Sequence, residues 1–271
     1  MKKIITTFIS TLAALFLTSC FQHEMTITLN KDGSGTVVEE TVMGAEMLGM
    51  IQQMAAGFGG EPGEAADPLA DMLSEEKAAK RASEMGEGVT VEKVEPIESN
   101  GGKGARVTFA FEDINKLRPD LGSGMGAVAA LDDDDEDDLP ENPLVFKYDD
   151  GTLTITIPRP EADETPDGAQ DVDMPDDPQA TAMMQQMFAD MKMSMKLVIA
   201  PGIAETNATH RDGDTITLME MDFGKIVQNP DGMQKLAATE NEEDPAIIME
   251  MLKGVDGVKL EVEPEVTVTL N

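Results

Sequence analysis

The chain has 271 residues, 53 of them acidic against 20 basic, for a net charge of −33. That length suffices for one large domain or two small ones with a real core, while so acidic a surface repels phosphate and excludes a nucleic-acid-binding role. A single cysteine excludes an intramolecular disulfide and a cysteine-built metal cage.

The chain opens with Lys2 and Lys3, followed by an uncharged stretch over 4–17 that is apolar apart from a few Thr and Ser. Charge and length predict a secretory signal, too short to span a bilayer comfortably. It runs into Leu17-Thr18-Ser19-Cys20, which resembles the lipobox of bacterial lipoproteins. The match is specific because the end of the signal and the chain's single cysteine coincide. An ordinary signal with an incidental cysteine is the alternative. The resemblance implies cleavage of 1–19 and lipidation of Cys20, whose several acyl chains would anchor the protein durably. For a Gram-negative host, the location expected here, Phe21 rather than Asp after that cysteine implies the outer membrane. Phe21, Gln22, His23 and Glu24 read as a spacer, so 20–24 is expected to be a lipidated tether of about 15 Å. The body would then sit close to the lipid headgroups.

Apolar and polar residues alternate over 25–29, the pattern of a half-buried strand. Asp32-Gly33-Ser34-Gly35 is a turn signal, and strand chemistry resumes over 36–42, completing a hairpin. Met43, Met47, Met50 and Met54 then follow helical spacing, with Leu48 and Ile51 beside them. A second helix is expected over 69–83, with basic residues placed late to suit the macrodipole. Strands over 89–97 and 105–111 are joined by Asn100-Gly101-Gly102. The segment 119–143 is Gly-rich and then acidic. A hairpin with strands 144–148 and 152–157 turns at Asp149-Asp150-Gly151. Residues 159–178 are rich in Pro and acids. Both acidic segments read as flexible inserts, with too little apolar surface to offset ordering entropy. Helical spacing returns over 179–191 with Met183, Met184, Met187 and Met191. A third hairpin is expected over 196–209 and 215–223, turning at Asp212-Gly213. A weaker helix over 245–253 ends at Gly254. The chain closes with strands 258–262 and 266–270, separated by Pro264. Thr26 to Asn30 echoes Thr267 to Asn271, suggesting two similar strands in one sheet with Thr towards water. The expected fold is α+β, a single domain over 25–271. Antiparallel hairpins dominate, Met-rich amphipathic helices pack on one sheet face, and the inserts fall at 119–143 and 159–178.

The sequence offers little catalytic chemistry. Its two histidines are His23, in the expected tether, and His210, beside a hairpin turn. No Gly-x-Ser-x-Gly elbow occurs. Gly102-Lys103 is followed by Gly104, and Gly224-Lys225 by Ile226, where a phosphate loop needs Ser or Thr. Paired carboxylates could serve as acid and base, but with 53 acids that possibility locates nothing. The run Asp132 to Asp138 lacks the turn glycine of a shaped calcium loop and reads as a solvated charge run. Asn207-Ala208-Thr209 matches a glycosylation sequon and reads as a hairpin position.

The 21 methionines support two readings. Thioether sulfur holds Cu(I) or Ag(I), and Met191, Met193 and Met195 would share one face of a strand. Methionine is equally a flexible core filler. A third option is that the 43–58 helix covers an apolar pocket or touches the membrane.

Residues 197–208, with Pro201-Gly202 and Asn207, lead through Asp212-Gly213 into a strand over 215–218. Together with the opening strand and Asp-Gly-Ser-Gly turn at 25–35, they are similar to the LppM-type lipoprotein domain. That resemblance implies an α+β lipid-anchored envelope domain and no catalytic residues. The expected function is a non-catalytic, lipid-anchored envelope protein that binds an apolar ligand or an envelope partner, with no cofactor. The alternatives are a periplasmic Cu(I)/Ag(I)-binding protein and an envelope enzyme of unidentified type.

Overall fold

A computed structural model describes residues 21–45, 47–49, 68–99, 101–120, 143–157, 190–229, 231–232, 234–235 and 251–271. The protein is α+β and mostly sheet. Strand β1 (Phe21–Leu29) buries Phe21, His23, Met25, Ile27 and Leu29 on one face. It pairs along its length with β2 (Gly35–Met43), from Phe21 opposite Met43 to Leu29 opposite Gly35. The turn between them is held by Asp32, whose carboxylate accepts from the Ser34 amide at 3.1 Å and its hydroxyl at 2.6 Å. Gly35 has no room for a side chain, because a Cβ there would meet the Thr28 carbonyl and the Phe111 ring.

This first hairpin corrects the expected tether. Residues 21–24 are strand, not spacer, because Phe21 and His23 continue the inward-facing alternation. Gln22 and Glu24, which look like polar linker, are outward positions of the same strand. Cys20 lies outside the described residues. Met43 is likewise not helical: it closes β2, and helix begins after it, with 45 and 47–49 helical. Met50 and Met54 lie outside the described residues.

Helices α1 (Pro68–Met72) and α2 (Glu75–Met85) replace the single helix expected over 69–83. The break is at Ser74, whose side chain accepts from the Lys77 amide as an N-cap and starts a new helix. Helix α2 packs on β3 and buries Ala78, Ala82 and Met85, so its inner stripe is mainly small residues. Strands β3 (Thr90–Ser99) and β4 (Gly102–Phe111) form the second hairpin. A 3-10 turn (Ile114–Lys116) follows. The margins of the first insert are anchored: the Leu144 amide donates to the Pro119 carbonyl at 2.9 Å, and Asp120 bridges to Pro143. Residues 121–142 and all of 159–178 lie outside the described residues, as do Met183, Met184 and Met187.

Strands β5 (Val145–Asp149) and β6 (Thr152–Thr156) make the central hairpin. Strand β7 (Lys192–Ile199) is followed by a bend at Pro201-Gly202 and then by β8 (Ile203–Thr206). Strands β9 (Arg211–Asp212) and β10 (Thr215–Asp222) flank the Asp212-Gly213 turn, and helix α3 (Phe223–Gln228) follows directly. Residues 251 and 252 are helical and lead to Gly254 at φ +75°. Strands β11 (Val258–Leu260) and β12 (Glu265–Leu270) end the chain.

The strands form two sheets. The large one runs β11-β10-β7-β1-β2-β4-β3, with β9 beside β10; the small one runs β5-β6-β12-β8. Pairing is antiparallel except between β1 and β7, which are parallel. Two expectations change here. The segment 196–209 is not one strand, because the chain leaves the large sheet at Pro201-Gly202 and β8 joins β12 in the small one. The closing strands part similarly, β11 pairing with β10 and β12 with β6. The echoing segments at 26–30 and 267–271 therefore lie in different sheets.

The sheets pack face to face. Ile27, Leu29, Val37 and Phe109 from the large sheet share one core with Phe146, Leu153, Ile155, Val266 and Val268 from the small one. Each fully buried side chain of this size contributes about 1.5–3 kcal/mol relative to exposure. Near the start of β1 a second cluster forms: Phe21, Met43 and Met193, joined by Met47, Leu48, Met72, Met191 and Phe223.

Candidate functional site: a buried methionine and histidine array

Strand register assembles an unusual interior face. Met193 on β7 lies opposite His23 on β1 and opposite Met221 on β10. One step along, Met195 lies opposite Met25 on β1 and Met219 on β10. Residues in register share a face. The alignment on β10 depends on a bulge between Thr217 and Met219, which sets Met219 rather than Leu218 against Met195. Strand β2 continues the face, with Thr41 opposite His23 and Glu39 opposite Met25.

Met25, Met193 and Met195 are at most 2% exposed and His23 is 5% exposed. Met219 is half-buried against the main core. These methionines fill the core rather than line an open pocket. Two of the three sequence candidates, Met193 and Met195, share the interior face as expected. Met191 does not belong to the strand: it precedes β7, its carbonyl accepts from the Phe223 amide at 3.0 Å, and it packs in the second cluster. Period-two spacing put it on the strand, but the chain turns into α3's neighbourhood first.

Polar groups are buried on the same face. His23 Nδ1 lies 3.0 Å from Thr41 Oγ1, and its Nε2 has no partner. Burial, and secondarily the charge of Arg81, lower its pKa from 6.5 to about 4, so the ring is neutral at pH 7. Glu39 is 3% exposed; its Oε2 meets Arg81 Nε at 3.1 Å, while Oε1 has no partner. Burial pushes the Glu39 carboxyl up, opposed by Arg81. Sequence reading missed both as interior groups. The signal was there in the alternation Phe21, His23, Met25 and Val37, Glu39, Thr41, but polar identity read as outward position.

The other polar groups hold structure. His210 Nε2 lies 3.1 Å from the Leu260 carbonyl. Buried Glu261 accepts from the Thr209 amide and hydroxyl and from the Glu263 amide. Asn207, in the sequon, donates to the Glu265 carbonyl and accepts from the Thr267 amide, fastening β12. Asp222 caps α3 and pairs with Lys192 at 3.1 Å. Among the described residues no three of His, Cys, Asp or Glu gather as a metal-holding group, and no helix is long and apolar enough to cross a membrane. A cleft of about 180 Å³ at the β3–β4 turn is lined by Glu98, Ser99 and Lys103. Another of about 450 Å³ lies between Lys31, Tyr148 and Asn271. Both are open surface features of mixed polarity, apart from the methionine array.

No family model and no curated protein matches the chain. Among solved structures it is similar to the folded domain of the Mycobacterium tuberculosis LppM protein, solved by NMR. Identity is 10%, coverage is 76% of this chain and 85% of that one, and the TM-score is 0.33.

Proposed function

We propose that the chain is a lipid-anchored envelope protein that works by binding at the membrane surface and not by catalysis. The observation that carries this reading is the junction at residue 20. The lone cysteine, at the end of a signal-like segment, is followed at once by a strand whose first side chain, Phe21, is 1% exposed. Acyl chains on Cys20 would therefore attach to the edge of the folded body itself. The same end of the large sheet carries the cluster of Phe21, Met43, Met47, Leu48, Met72, Met191 and Phe223. Its half-buried members, Met47, Leu48, Met72, Met191 and Phe223, are the part of this adaptable group that suits contact with lipid or with an envelope partner. Met25, Met193 and Met195 are packed as core, which favours these over an internal apolar ligand. In a Gram-negative host, Phe21 after the lipidated position would direct the protein to the outer membrane.

The test is Cys20→Ala in cells fed labelled palmitate, followed by membrane fractionation. The expected outcome is loss of label and release of the body from the membrane fraction. Label and fractionation both unchanged would refute the reading.

A further inference from the structure

We propose that the face shared by β1 and β7 is a buried site for one soft monovalent cation, Cu(I) or Ag(I), held by Nε2 of His23 and the thioethers of Met25, Met193 and Met195. This inference stands apart from the anchoring reading and rests on strand register. His23 is opposite Met193 and Met25 is opposite Met195, so the four residues form a two-by-two block on one face. Sheet spacing puts their Cα atoms at the corners of a rectangle of about 5 by 7 Å. Met25 and Met195 pack in the main core and Met193 in the second cluster, so one ion would draw the three thioethers together around His23, which faces Met193 and shares its strand with Met25.

Core filling alone explains the three thioethers, since Leu would serve as well. It does not explain His23. Burying an imidazole nitrogen without a partner costs about 1–3 kcal/mol, and an apolar residue would avoid that cost. The Nδ1 contact with Thr41 Oγ1 orients the ring and leaves Nε2 as the free atom, the outer partner a ligating histidine ordinarily has. Thioether donors select soft ions over Zn²⁺, Mg²⁺ or Ca²⁺. The four ligands are uncharged, and Glu39, opposite Met25 on β2, is already paired with Arg81 through one carboxylate oxygen and leaves the other unpartnered. Met219 and Met221, in register on the far side of β7, can supply replacement thioethers for ion entry and exit.

The test uses the full chain carrying Cys20→Ala, which removes the competing thiol. Cu(I) is titrated anaerobically against a chromophoric chelator, and Ag(I) is followed through the methionine ¹³C-methyl signals. The expected result is one equivalent bound with Kd below micromolar, shifting the methyls of Met25, Met193 and Met195 and the Nε2 resonance of His23. His23→Gln and Met193→Leu should each weaken binding at least tenfold, while Met191→Leu leaves it unchanged. Binding no tighter than micromolar, or tight binding insensitive to both His23→Gln and Met193→Leu, overturns the proposal. If either variant unfolds, the wild-type shifts decide: shifts confined to other methionines overturn it.

Discussion

Replacing His23 with Gln removes a group whose protonation the sheet interior resists. In the folded protein the His23 pKa is lowered from 6.5 to about 4 by burial and by Arg81. A group depressed in this way contributes stability that is fully present above the unfolded value and lost as pH falls through the folded one. Between about pH 7.5 and about pH 4.5 the unfolded imidazole charges while the folded one stays largely neutral, which lowers stability by about 2.5 kcal/mol. Glu39 works in the opposite sense: its raised pKa gives stability that is present at low pH and lost as pH rises through the folded value. Glu39 and the other acids remain in both proteins, so the wild type minus His23→Gln difference isolates the imidazole. Denaturant unfolding of both at the two pH values provides the four stabilities required. The wild type should lose about 2.5 kcal/mol relative to the variant on acidification. A difference that is the same at both pH values would refute the placement of His23 in the interior.

Arg81→Met leaves the buried Glu39 carboxylate alone and should cost about 3 kcal/mol near neutral pH. Adding Glu39→Gln should recover most of that loss, and acidification should shrink it as Glu39 protonates; a double-mutant cycle measured by urea unfolding checks both. Phe21→Ala should cost about 3–5 kcal/mol, as for a buried aromatic. A residue of a free tether would cost nothing, so a thermal melt of this variant distinguishes strand from spacer.

Local signals in the sequence marked local structure well. Asp149-Asp150-Gly151 announced a tight hairpin, and Asp150 and Gly151 do take positive φ, +43° and +78°. The alternation in 36–42 and 152–157 marked β2 and β6. What no local pattern carries is the company a strand keeps. Nothing near Lys192 signals that β7 will lie parallel to β1, and nothing near Ile203 or Glu265 signals that those strands join a second sheet. The candidate site shows the same division. The spacing of Met193 and Met195 fixed their shared face, whereas their meeting with Met25 and His23 required the parallel pairing. The alignment with Met219 required a bulge. His23 and Glu39 were hidden because inward positions were inferred from apolar identity, and these two are polar residues buried among apolar ones.

The parallel pairing also bears on how the molecule assembles. Strand β1 lies within the large sheet, yet Ser194 and Glu24, which touch across β1 and β7, are 170 positions apart in the chain. The hairpin of β1 and β2 closes early, but the other flank of β1 stays bare until β7 has been made, a separation at the slow, non-local end of folding topologies. Such a waiting edge is a template for wrong pairing between chains. Strand β1 is thus made long before its second partner, and the interval belongs to whatever keeps nascent chains apart.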